Sequence, residues 1–389
     1  MKRIALILTV CSVLFFTSCS DDDKVEPIVD VIDNSIDRAT VTANYADLVL
    51  ANYQAAMIDA EALETAIQTF IGDPSETNFN ATKEVWLMSR ESYGPSEAFR
   101  FANGPIDSGD TEDIEGFLNS WPLDEAYMDY VDGDVASGII NNPTDFPIIS
   151  KEVLTGENGN GGEENVAIGY HAIEFLLWGQ DLTAPSENLA GQRPYTDFID
   201  GGTAANQDRR REYLVIVADL LTDHLQIIID EWSGAYKTTF LALDDNSALD
   251  NMISSIAELS RSELAIERMA VALQNQDQED EHSCFSDNTH RDIRLNLDGV
   301  VNVYTGTYGS VSGNSLEDLI EEADADLATE LSTLLAAAQT ELDATLDPFD
   351  FAIVAGESST EGVKVQTAVQ ALVAFGDKLL EARPALGIN

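Results

Sequence analysis

An all-α fold built from helical bundles is what the sequence predicts, on three observations. Apolar residues recur at three-and-four spacing over long stretches, alternating strand patterns are scarce, and the intervening stretches are polar or rich in glycine and proline. The first periodic run begins at Tyr45, carries Ala56, Ala60, Leu63, Ile67 and Phe70 on one face, and stops at Gly72-Asp73-Pro74. A second run holds Leu214, Val217, Leu221, His224 and Ile228, and a third holds Met252, Ile256, Leu259, Glu263, Ile266, Ala270 and Leu273. The fourth is Leu316, Ile320, Ala323, Leu327, Leu331, Leu334, Ala338 and Leu342, and the fifth Ala368, Leu372, Phe375 and Leu379. Connections fall at residues 103–113, 156–162, 183–208 and 306–314; the third is the longest and marks the domain boundary.

One further helical stretch carries chemistry. In Ile168 to Trp178, His171 and Glu174 stand three residues apart on one face, while apolar residues cover the other directions. A helix apolar nearly all round is buried, and an imidazole or carboxylate inside it loses hydration worth several kcal/mol per ion unless compensated. Three outcomes stay open: the two satisfy each other, they join a wider polar network, or they coordinate a metal with carboxylates from elsewhere. The first is the commonest fate of such a pair. A zincin needs two histidines four apart, and none follows His171 at that distance.

A second cluster contains Trp86, Arg90, Tyr93, Glu97, Arg100 and Phe101 around Gly94-Pro95, which must disturb a helix. Such a bend can re-aim Arg90, Tyr93, Glu97 and Arg100 into one pocket; the alternative is a local surface pair of Glu97 and Arg100, worth little. Glu279 to Asp292 is a third cluster, with His282 and His290 among short polar residues. A metal or anion site fits it, but a hydrogen-bonded loop capping the next helix fits Ser286 to Asn288 better. His224 reads as a boundary histidine, and Glu263 as the partner of Arg261 or Arg268. No phosphate loop, nucleophile elbow or CxxC motif occurs.

Among 389 residues, 70 acidic and 20 basic side chains leave a formal net charge of -50. That field repels phosphate backbones and excludes nucleic acid as the main partner, while it gathers cations near the surface. With 44% apolar residues, the chain is no disordered acidic tail.

The N-terminus reads as an address. Met1-Lys2-Arg3 precedes an apolar stretch to Phe16, and Thr17-Ser18-Cys19 closes it, as in a lipoprotein signal peptide over residues 1–18 with Cys19 as the lipidated residue. An acidic linker follows over 19–43. With Cys11 in the signal and Cys19 acylated, Cys284 stands alone and reads as buried and inert.

Three segments together resemble the imelysin family: Gly169-Tyr170-His171-Ala172-Ile173-Glu174, matching its Gly-x-His-x-x-Glu signature; Tyr93 to Phe101 with Asn103 to Asp107; and His282 to His290. The resemblance covers about residues 40–385. It implies two helical-bundle domains, here 44–205 and 206–389, with the site near their interface. It further implies a bacterial lipoprotein accessory to iron uptake, anchored in the outer membrane through Cys19, facing the periplasm or the cell surface, and working with an iron-transport partner. His171, Glu174 and Glu97 become the expected metal ligands, iron first and zinc second, supported by Arg100, Arg90, Tyr93 and Asp287. The family is also filed among metallopeptidases. The two alternatives to capture are therefore a metal-dependent peptidase and a structural surface lipoprotein with a buried His-Glu pair.

Overall fold

The structure, a computed structural model, describes residues 35–107 and 114–388, so the expected signal peptide, Cys19 and most of the acidic linker lie outside the described residues. The first run becomes the 35-residue helix Arg38–Gly72, opened by the Asp37 side chain accepting from the Ala39 amide. Its buried face includes Ala56, Ala60, Leu63, Ile67 and Phe70, as the spacing required. Ser75 caps the antiparallel return helix Glu76–Tyr93. Gly94-Pro95 then converts the chain to a tight 3₁₀ segment, Gly94–Phe99, because proline offers no amide proton to continue the ladder.

Gln207–Ser233 packs along Arg38–Gly72, and the buried helix Tyr170–Trp178 packs against both Gln207–Ser233 and Glu76–Tyr93. These form the first group of helices. The division expected at 205/206 would assign Gln207–Ser233 to the second domain, whereas this helix packs along Arg38–Gly72 in the first group. The second group comprises Asp245–Glu258 and its continuation, Thr289–Thr305, Leu316–Ala323, Ala325–Asp343 and Thr360–Leu379. A two-stranded antiparallel hairpin, Thr307–Tyr308 with Val311–Ser312, occupies the glycine-rich 306–314 connection. Residues Ile36–Asn389 cluster as one compact unit.

Two periodic runs depart from simple helices. The fourth run is two helices, because Asp324 ends Leu316–Ala323 and its side chain accepts from the Leu327 amide to start the next. In the third, Leu259–Ala270 is a π-helix. Its wider turn advances the buried face from Leu259 to Leu264 and Ala265, then to Arg268 and Met269. Ile266, expected inside, is 40% exposed, and Arg268 is carried inward.

The groups meet where Thr289–Thr305 crosses the Gly94–Phe99 segment. Gly299 makes that crossing possible, since a Cβ there would lie 2.2 Å from the Pro95 carbonyl oxygen. The helix therefore rests directly on the bend, and its Asp292 meets Arg90 of the preceding helix.

Candidate metal centre

All nine residues of Tyr170–Trp178 are buried. The helix starts from Gly169 at φ 94°, where a Cβ would meet the Leu118 carbonyl oxygen at 2.7 Å. Glycine therefore lets the segment carrying Asn119 and Trp121 lie against the start of the helix. Trp86 Nε1 donates to the Tyr170 carbonyl at 3.0 Å and ties the same turn to the return helix.

His171 and Glu174 meet as their spacing allows, Nδ1 to Oε2 at 2.8 Å. They do not exhaust each other. Glu174 Oε1 accepts from both the amide and the hydroxyl of Ser286, at 3.0 and 2.7 Å. His171 Nε2 is buried and has no hydrogen-bond partner among the described residues. A buried polar atom left unpaired costs about 1–3 kcal/mol, a state His171 Nε2 shares with other buried atoms, the Tyr45, Tyr53 and Tyr170 hydroxyls among them.

Beside it stands His282, its ring centroid 4.7 Å from that of His171 and nearly perpendicular to it. His282 repeats the arrangement: Nδ1 lies 3.0 Å from Asp292 Oδ2, and Nε2 is 3.5 Å from Asn119 Nδ2. Asp292 is held in turn by Arg90, whose Nε and Nη2 donate to its two oxygens at 3.2 and 3.1 Å, and by the Ser283 hydroxyl. Arg90 also donates to Asn119 Oδ1 at 2.6 Å, and its guanidinium lies over the rings of Tyr170, Tyr93 and Trp86. Trp121 packs on His171, ring centroids 4.9 Å apart.

Burial, assisted by the neighbouring His282, holds His171 well below the ordinary imidazole range. His282 is lowered to about 4, by burial and then by Arg268, against the opposing hydrogen bond to Asp292. Burial would raise Asp292, but Arg90 and His282 outweigh it and keep that carboxylate ionised. Both rings are therefore neutral at pH 7. With Asp292 as acceptor, the proton of His282 sits on Nδ1 and its lone pair on Nε2. Burial raises Glu174 to about 8, and the Ser286 hydrogen bonds only partly offset it.

Of the expected ligands, His171 and Glu174 are together, but Glu97 is not with them. Its oxygens take Arg268 at 2.6 Å, Arg100 at 3.3 Å and Asn119 at 3.2 Å. Two guanidinium groups overcome the cost of its burial and hold it down to about 2. Glu97 is the centre of an ion-pair network, and Arg100 belongs to that network and not to the imidazoles. Arg268 also pairs with Glu263 at 3.1 Å, as the sequence suggested. Asp287 likewise does not orient the pair; it adopts φ 57°, and its neighbour Ser286 reaches Glu174 instead of capping. Arg90 and Tyr93 are in place, Arg90 through Asp292 and Tyr93 as an aromatic wall. Cys284 is buried and in no disulfide, and its thiol donates to Glu279 at 3.9 Å.

Comparison with known proteins adds the family. The imelysin family's sequence profile matches residues 49–379. The chain belongs to the imelysin family. It is 24% identical over 351 residues to iron-regulated protein A of Synechococcus elongatus, covering 87% of this chain and 84% of that protein. Two crystal structures share the fold. One, described as an iron-regulated protein A precursor from Parabacteroides distasonis, has a TM-score of 0.68 at 19% identity and covers 90% of this chain and 95% of its own. The other, an imelysin-like protein from Psychrobacter arcticum, has a TM-score of 0.64 at 16% identity, covering 91% and 98%.

Within this imelysin, His171 and His282 are the side chains that would hold an ion, His171 through its unpartnered Nε2 and His282 through an Nε2 that lies 3.5 Å from Asn119 Nδ2. Two imidazole nitrogens are oriented by carboxylates behind them, the second layer that metal-binding histidines use. Among the described residues no group of three His, Cys, Asp or Glu side chains stands arranged to hold a metal. The remaining coordination positions would therefore fall to water or to atoms brought by the ligand.

Proposed function

We propose that this imelysin captures a metal ion, iron first, through His171 and His282, as a lipid-anchored accessory to iron uptake held at the outer membrane by Cys19. The observation that carries the reading is the buried, unpartnered Nε2 of His171 beside a second imidazole, each ring oriented through Nδ1 by a carboxylate. A bound ion supplies positive charge at Nε2, which favours the ionised form of Glu174. Glu174 and Asp292 then act as anchors behind the rings, with Ser286 and Arg90 fixing the anchors. Two protein donors suit capture and release better than permanent retention. The name of the Synechococcus relative, iron-regulated protein A, links that protein to iron.

Peptide hydrolysis is less well supported, since a general base must reach the attacking water and both Glu174 oxygens are engaged by His171 and Ser286. Titration of metal-free protein with iron(II), zinc and copper, beside His171→Ala and His282→Ala, tests the proposal. Each substitution is expected to weaken iron uptake about tenfold or more, as one of two donors is lost. Equal uptake by all three proteins would refute capture here. Metal-dependent peptide hydrolysis that vanishes in Glu174→Ala would promote the peptidase reading instead.

A further inference from the structure

A cavity of about 440 Å³ opens onto His282. It runs between the Asn119-to-Pro122 segment and the π-helix, so it is the approach from solvent to His282, whose ring stands against that of His171. Its volume admits a bare ion with its water shell or a small organic chelate equally well. Charge decides between them.

Five acidic side chains line the cavity, Glu115, Glu263, Glu267, Glu279 and Asp280, and burial pushes two of them, Glu115 and Glu279, up to about 7. Only two lining groups are positive, Arg100 and Arg268, and both are already engaged. Arg268 pairs with Glu97 and Glu263; Arg100 pairs with Glu97, Glu115 and Glu263 at 3.3 to 3.4 Å. Glu97 lies beneath the wall, so its charge further cancels theirs. Among the described residues both lining guanidinium groups are held by carboxylates, with only Arg100 Nε lacking a hydrogen-bond partner, and the approach is net negative. An anionic ferric chelate entering it meets like charge in a partly enclosed, low-dielectric space, whereas a cation is drawn inward.

Resting on the capture reading above, we infer that the metal enters as a small hydrated cation and that this cavity discriminates against anionic metal chelates. The π-helix contributes directly to that selectivity, because its turn presents Glu263 and Glu267 to the opening while Arg268 faces inward against Glu97.

The test is equilibrium titration of the full-length metal-free protein with iron(II) under nitrogen and, separately, with ferric citrate. Glu267 is exposed and forms no ion pair among the described residues, so Glu267→Lys changes the approach without disturbing the network. At about 20 mM salt, iron(II) is expected to bind Glu267→Lys about tenfold more weakly than wild type, with the difference largely gone at about 500 mM. Ferric citrate is expected to bind wild type at least about a hundredfold more weakly than iron(II), and to be the ligand that Glu267→Lys improves. If ferric citrate binds as tightly as iron(II), and His171→Ala abolishes it, the discrimination is refuted while capture survives. If His171→Ala changes neither ligand, the capture reading fails and takes this inference with it.

Discussion

His282 supplies the second imidazole that the Gly169 to Glu174 stretch lacks. The pairing of His171 with Glu174 was legible, because helical spacing alone brings i and i+3 side chains together. Its incompleteness was not, since which atom of a buried ring stays unpaired depends on Ser286 and Asn119 from distant segments. The 279–292 cluster was visible as a polar concentration, yet only the crossing at Gly299 shows that Asp292 faces Arg90. Glu97 illustrates the opposite error: its position near Arg100 suggested a pocket, but the inward-turned Arg268 makes it an ion-pair centre. That assignment has a pH signature. A carboxylate held below its unfolded value of 4.5 contributes stability above that value and loses the contribution as pH falls toward 2. The contribution is about 3 kcal/mol if the whole shift is realised. The urea midpoints at pH 6 and pH 3 should therefore lie closer together in Glu97→Gln than in wild type. Glu97→Gln should itself cost about 3 kcal/mol at pH 6, as Arg268 loses its buried charged partner.

Long regular helices were the most legible elements, and the periodic residues Ala56, Ala60, Leu63, Ile67 and Phe70 of Arg38–Gly72 are all buried, although its N-terminal half also buries Thr42 and Asn52. The π-helix was illegible, because a 3.6-residue template applied to a wider turn drifts out of phase and places Ile266 inside. Likewise, an unbroken apolar period concealed the stop at Asp324, where one side chain's capping bond ends one helix and begins another. The start of Tyr170–Trp178 makes the sharpest prediction at this level. Gly169→Ala combines a left-handed backbone with a backbone collision at Leu118, so it should destabilise the protein by about 2–3 kcal/mol. Chemical denaturation measures that loss. An Ala control at Gly159, also at positive φ but with open space around its Cβ position, should cost only the backbone strain of about 1 kcal/mol.

Over the whole molecule, the excess of acid seen in the composition sets a repulsion that folding must overcome. Raising salt from about 20 to 200 mM shortens the screening distance from roughly 20 to 7 Å, so Tm should rise by several degrees, most of it before about 150 mM. A Tm that stays flat or falls over this range would show that the charges are already neutralised locally. The crossing of the two helix groups adds a different property. Arg90 from the first group steadies Asp292 behind His282, while Ser286 from the second steadies Glu174 behind His171. Each histidine thus depends on a brace belonging to the opposite half of the molecule. Neither ring is correctly set without helices from both groups, so loss of the contact between Thr289–Thr305 and the Gly94–Phe99 bend would undo the supports of both rings in a single event.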